Sequence, residues 1–425
     1  MSEKTFPLSG LQAGSAVPLT SRLAAGSATG APETQAAPSG RIPVLDGLRG
    51  IAILLVMIFH FWHIGFTAGP ALWERVYSNA ANWGWAGVDL FFVLSGFLIT
   101  GILYDSRQDE HYYRVFYARR TVRIFPLYYG FLVLFYIVTP FTLALLHRSQ
   151  YSPVYDTVTA KLCAWTYTLN WLIGLKTMRA ASVSVQHFWS LAIEEQFYLV
   201  WPFLVLTLSR RRLMGLCAVL IGFAFALRVA LYHLQLPDAA YTWTFARVDS
   251  LAIGALLALA ARHPEDWKTA GKWVARATLP ALCGVVALMA LLDLRPQFMS
   301  GQFVLQSLNY SLIGMFFGGC LALAVSAAKG SLAFRSLNSP FLKFFGKYSY
   351  CLYVAHQPLM ILFVKAGIHT DRLTGVLGNK VLAVVVMNGL AFAVSIGIAL
   401  LSWNLYEKQW LKLKELPFLH REAEA

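Results

Sequence analysis

Apolar runs of about 18 residues or more recur along most of this chain, and nothing constrains its fold more. A run of that length crosses the hydrocarbon of a bilayer, where no water satisfies backbone N–H and C=O groups. Only helices and closed barrels meet that demand. The runs here are solid rather than alternating, which argues against a barrel. The chain therefore reads as an all-α polytopic membrane protein. About ten transmembrane helices are predicted, over residues 46–64, 86–104, 124–146, 188–208, 213–232, 247–261, 276–293, 307–328, 348–367 and 381–405. Composition agrees: 13% of the 425 residues are charged, against roughly a quarter in soluble domains.

A net charge of +14 invites a nucleic-acid partner, but the positions of the charges argue for none. Most lysines and arginines lie in short loops between apolar runs, where they set topology. With the N-terminus in the cytoplasm, 24 of the 35 fall on the inner side and nine on the outer. Both termini are therefore expected in the cytoplasm. The count also decides residues 161–176. As an eleventh span they would put Arg210, Arg211 and Arg212 outside, so they read as an outer-face or re-entrant helix within a long outer segment, 147–186. Residues 1–40 are rich in Ala, Ser, Gly, Pro and Thr and read as a disordered cytoplasmic tail. Residues 411–425 form a second cytoplasmic tail. The five cysteines have no CxxC or metal-type spacing, so neither a metal nor a redox role is expected.

Ionisable residues inside the spans carry the functional signal, because they are expensive there. Arg49 and His60 are eleven residues apart, roughly 16 Å of rise and close to three turns, so they share a helix face. Arg49 is expected at the cytoplasmic mouth and His60 about halfway across. Asp89 falls near the outer end of the second span, with Ser95 deeper; Ser95-Gly96 also fits plain small-residue packing. Arg120 and Arg123, at the end of the following loop, share a face and suit phosphate, although inner-side anchoring also explains them. Glu194 falls roughly 10 Å inside the fourth span. It suits a histidine nitrogen, an acceptor hydroxyl, or a pair with Arg228 or Arg247. Its neighbour Glu195 is expected on a different face. Arg247 and Asp249 open the sixth span as an ion pair or a sugar-facing site. His356 lies in an apolar span beside Pro358, which frees a backbone carbonyl, and the histidine suits such groups. Together these place His60, Ser95, Glu194 and His356 near mid-membrane, reachable from both faces.

The motifs also come in a recognisable order. They are Leu45-Asp46-Gly47-Leu48-Arg49-Gly50 with His60, and Gly87-Val88-Asp89-Leu90-Phe91-Phe92-Val93-Leu94-Ser95-Gly96-Phe97. Then follow Arg120-x-x-Arg123 with Phe125-Pro126, and Trp189-Ser190-Leu191-Ala192-Ile193-Glu194-Glu195-Gln196-Phe197-Tyr198. Arg247-Val248-Asp249, Tyr348-Ser349-Tyr350, His356-Gln357-Pro358 and Ser402-x4-Glu407 complete the set. This pattern resembles the acyltransferase-3 membrane family, bacterial O-acyltransferases that modify surface sugars, exopolysaccharides and some antibiotics. The resemblance covers residues 41–410, which makes that stretch one acyltransferase-3 type transmembrane domain.

The resemblance implies a cytoplasmic (inner) membrane enzyme, embedded in lipid, that moves an acyl group from cytosolic acyl-CoA to a hydroxyl. Acyl-CoA, most simply acetyl-CoA, is then a co-substrate, with no permanently bound cofactor. The implied acceptor is a sugar, polysaccharide or glycolipid; a macrolide or another small molecule stays open. Carried over residue by residue, His60 is the catalytic base, with Arg49 in the same motif, and Arg120 and Arg123 resemble the acyl-CoA-binding pair. Glu194 is expected to position His60 or the acceptor. Asp89, Ser95, Arg247, Asp249 and His356 are expected to contact substrate. Direct transfer is preferred over an acyl-enzyme on Ser95 or His60, because Ser95 has no local nucleophile signature. A transporter of polar small molecules would also carry charges at mid-membrane, but with paired broken helices and internal halves that are not evident here.

Overall fold

The computed structural model describes residues 42–147, 156–269, 276–278, 280–284 and 303–415. The secondary structure of the described residues is helical throughout, without strands. Nine long helices dominate them: α1 (Val44–Trp62), α2 (Gly87–Asp105), α3 (Tyr112–Val133), α4 (Phe188–Thr207), α5 (Arg210–His233), α6 (Thr244–Ala260), α7 (Phe303–Val325), α8 (Pro340–Lys365) and α9 (Lys380–Ser402). Each matches one predicted span. The remaining prediction, 276–293, lies mostly outside the described residues.

Among the described residues, seven helices or joined helices are long and apolar enough to cross a membrane. The bent pair of α8 and Thr370–Leu377 makes an eighth. The protein is thus a multi-pass membrane protein. The helix α4 falls outside this group, since Glu194, Glu195 and Gln196 lower its hydropathy. The predicted start of the third span, at 124, is too late. The helix α3 begins at Tyr112 and carries Arg119, Arg120 and Arg123 on its own turns. Charge ended the apolar run there, but arginine is a good helix former. Pro358 does not break α8, which runs on to Lys365.

Residues 161–176 form parts of two eight-residue helices, Val158–Trp165 and Leu169–Lys176. Each is about 12 Å long, too short to cross. Gln196 ties this segment to the bundle. Its amide nitrogen donates to Tyr167 O (2.7 Å) and Asn170 Oδ1 (3.0 Å), and its oxygen accepts from Trp171 Nε1 (3.1 Å) and Thr244 Oγ1 (2.5 Å). All four amide positions are used, so a buried polar group becomes a rigid node.

Two close crossings set the frame. A Cβ added at Gly96 of α2 would lie 1.9 Å from Leu251 O of α6, and one at Gly254 of α6 would lie 2.0 Å from Val93 O of α2. Glycine alone lets these backbones meet. The helices α1 and α8 cross as tightly, through Gly50 and Gly346. A charge network braces the first crossing. Asp89 of α2 pairs with Arg247 of α6 at 2.7 Å, and Arg228 of α5 with Asp249 of α6 at 2.7 Å, all four at most 1% exposed. Ser250 donates to Asp89, and Arg228 also donates to Ser311 of α7. Buried charges of this kind persist only when paired and hydrogen-bonded.

Candidate active site

Two cavities lie among α1, α2, α3, α4 and α8. One is lined by Arg49, Arg120 and Arg123, with Ser95, Glu194 and Glu195; the other is lined by His60, His63 and His187, with Trp85, Trp189 and Tyr241. Their cavity volumes are about 110 and 230 Å³. Val88 and Tyr353 line both.

The arginine cavity is assembled by helical periodicity. The α2 residues Val88, Phe91, Phe92, Ser95, Leu98 and Ile99 recur at i, i+3, i+4, i+7, i+10 and i+11, one face of a helix. On α4, Leu191, Glu194, Glu195 and Tyr198 follow the same rule. Both glutamates therefore reach the cavity, where the sequence reading put them on different faces. They are 100° apart and straddle its midline. Ser95 Oγ and Tyr198 Oη are 2.5 Å apart, and Glu194 lines the cavity with them. The Arg120 guanidinium lies 5.2 Å from the Tyr198 ring centroid, within cation–π range. Three guanidiniums face two carboxylates here. The small-residue motif at 95–96 divides its work: Gly96 packs α6, and Ser95 lines the cavity.

Behind the histidine cavity, His60 forms a tautomer pair with His356, which is fully buried and lines neither cavity. His356 Nδ1 lies 2.6 Å from Tyr353 O, and a carbonyl only accepts, so this nitrogen carries the proton. His356 Nε2 is then an acceptor. His60 Nδ1 lies 2.9 Å from Val56 O and 3.2 Å from His356 Nε2, so it too carries its proton and donates to both. That leaves His60 Nε2 with a free lone pair. His60 stands in the last turn of α1 rather than at its middle. Its ring partners are Val56 and His356, while Glu194 lines the other cavity.

Asp89, Arg247 and Asp249 line neither cavity; they form the ion pairs described above. Arg247 stands one layer behind the histidine cavity, 5.8 Å from the Trp189 ring and 5.2 Å from the Tyr241 ring. Sequence reasoning missed Glu195, Tyr198, His187 and Tyr353 as lining residues. Tyr198 was legible as the i+4 neighbour of Glu194. Tyr353 falls four residues after Ser349 and four before Gln357, along one face of α8.

Residues 42–403 match the family described as the acyltransferase domain. Over 338 residues the chain is 27% identical to the O-acetyltransferase OatA of Staphylococcus aureus (strain NCTC 8325 / PS 47), covering 75% of this chain and 51% of that protein. Over 229 residues it is 34% identical to the "Putative peptidoglycan O-acetyltransferase YrhL" of Bacillus subtilis (strain 168), covering 51% of this chain and 33% of that protein. The chain thus spans between a third and about half of the length of these relatives. No solved structure matches it. With a family match that runs from before α1 to the end of α9, the chain belongs to the acyltransferase-3 family of acyltransferases.

Proposed function

We propose that this protein transfers an acetyl group from cytosolic acetyl-CoA to a hydroxyl of a carbohydrate acceptor. One observation carries the reading: an arginine-lined cavity and a histidine-lined cavity meet at Val88 and Tyr353. Arg49, Arg120 and Arg123 suit the phosphates of coenzyme A, since guanidinium forks pair with phosphate oxygens. Ser95, Glu194 and Tyr198 offer hydrogen bonds to the amides of the pantetheine arm. The aromatic walls Trp85, Trp189 and Tyr241 suit the apolar faces of a sugar. The name of the B. subtilis relative points toward a cell-wall carbohydrate.

In this reading His60 Nε2 takes the proton of the acceptor hydroxyl as its oxygen attacks the thioester carbonyl. The C–S bond breaks, coenzyme A leaves as thiolate, and the thiolate regains the proton from His60. The products are an ester and free coenzyme A. His356 keeps His60 in the reactive tautomer throughout. The membrane is the cytoplasmic one and both termini face the cytoplasm, in line with the charge asymmetry of the loops.

The test is protein reconstituted in vesicles, given acetyl-labelled acetyl-CoA on one side and muropeptides on the other. The expected product is alkali-labile acetyl on the muropeptide, with stoichiometric release of coenzyme A. Movement of solute without any coenzyme A release would instead make the protein a transporter.

A further inference from the structure

Among the described residues, Val88 and Tyr353 alone line both cavities. Tyr353 is 6% exposed and held on every side. Its hydroxyl lies 2.5 Å from Ser190 Oγ and donates to His187 O at 3.2 Å. Its ring packs edge-on against Phe91 and tilted against His187 and His356, with centroids 6.1, 5.4 and 5.5 Å away. Its carbonyl accepts the Nδ1 proton of His356. This side chain is a braced wall. Val88 of α2, the other shared lining residue, is 7% exposed.

If the thioester comes from the arginine side and the base acts from the histidine side, the reacting carbonyl must sit between these two side chains. An acetyl group brings only a methyl to this boundary. A longer acyl chain meets the Tyr353 ring or takes the acceptor's place. We propose that Tyr353 and Val88 form a septum that limits the donor to acetyl and shields the thioester from water on the acceptor side. This rests on the acyl-transfer reading and adds the residues that set donor length and coupling.

The experiment compares acetyl-CoA with butyryl-CoA in the full-length protein, with and without muropeptide acceptor. Wild type should use acetyl-CoA at least about tenfold better, the scale expected for misfit methylenes in a pocket. Tyr353→Ala should narrow that ratio to about twofold. It should also raise acceptor-free hydrolysis, in which water converts the thioester to carboxylic acid and coenzyme A thiol. Tyr353→Phe should keep the wild-type ratio, which assigns the effect to the ring. Val88→Ala opens the same boundary from α2 and should move the ratio in the same direction, so the test stands even if Tyr353→Ala does not fold. A wild type indifferent to chain length, or a ratio unmoved in folded Tyr353→Ala or Val88→Ala, overturns the septum. A wild type that turns over no acyl-CoA overturns the acyl-transfer reading itself.

Discussion

His60 Nδ1 and His356 Nε2 lie 3.2 Å apart, and both rings are anchored through Nδ1 to carbonyls of their own helices. One histidine thus sets the tautomer of the other, the task a carboxylate performs in many catalytic pairs. Removing the proposed base, His60→Ala, should lower kcat by about 10²–10⁴-fold. Removing its partner, His356→Ala, should lower kcat by about 10-fold or more while KM for acetyl-CoA holds. His356→Gln, whose amide oxygen still accepts from His60 Nδ1, should recover much of that loss. Steady-state kinetics on the three variants decides it; a Gln variant as poor as Ala would reduce His356 to a packing residue.

Arg120 and Arg123 present two guanidiniums one helical turn apart in one cavity. Each hydrogen bond to a charged group contributes about 1.5–3 kcal/mol. Arg120→Ala and Arg123→Ala should therefore each raise the Kd of coenzyme A by about 10–100-fold. Titration calorimetry in detergent reads this directly. Unchanged affinity in both would assign these arginines to membrane anchoring alone.

Gly96 and Gly254 should tolerate nothing larger. A methyl at either would overlap a backbone carbonyl at about 2 Å, and that carbonyl belongs to a helix that cannot move alone. Gly96→Ala is expected to cost about 1–3 kcal/mol through overpacking, visible as a lower melting temperature in detergent. Gly215, which has nothing within 4 Å of an added Cβ, is the control and should accept alanine.

Asp89→Asn leaves the Arg247 charge buried without its partner, a loss of about 3–5 kcal/mol. The double variant Asp89→Asn with Arg247→Met removes both charges and should recover part of that stability. Thermal melts of the single and double variants form the cycle. Strict additivity would show that the two side chains do not interact.

Much of the fold was legible because long apolar runs have one physical outcome in a bilayer. The start of α3 was harder, for a related reason: the helix begins at Tyr112, ahead of the apolar run. Where polar side chains serve the site, hydropathy drops although the backbone stays helical. The candidate site was legible in its parts, since His60 and Glu194 are costly in a membrane and Arg120 and Arg123 share a helix face. Their division between two cavities was not, because it depends on which faces of α1 and α4 meet α2 and α8. Spacing along one helix says nothing about that. Arg247 and Asp249 show the converse. As charged residues at a helix start they invite a ligand, and only the partners supplied by α2 and α5 show that each is already occupied.

The crossing at Gly96 has a consequence for how such a chain can change. On α2, Val88 and Ser95 stand one heptad apart toward the cavities, and Asp89 and Gly96 stand one heptad apart toward α6. Any rotation of α2 that reshapes the donor space also breaks an ion pair and drives two backbones together. This helix is the fixed jaw of the site. If Val88 and Tyr353 set donor length, a change of donor comes through single side chains at those positions and not through movement of this helix.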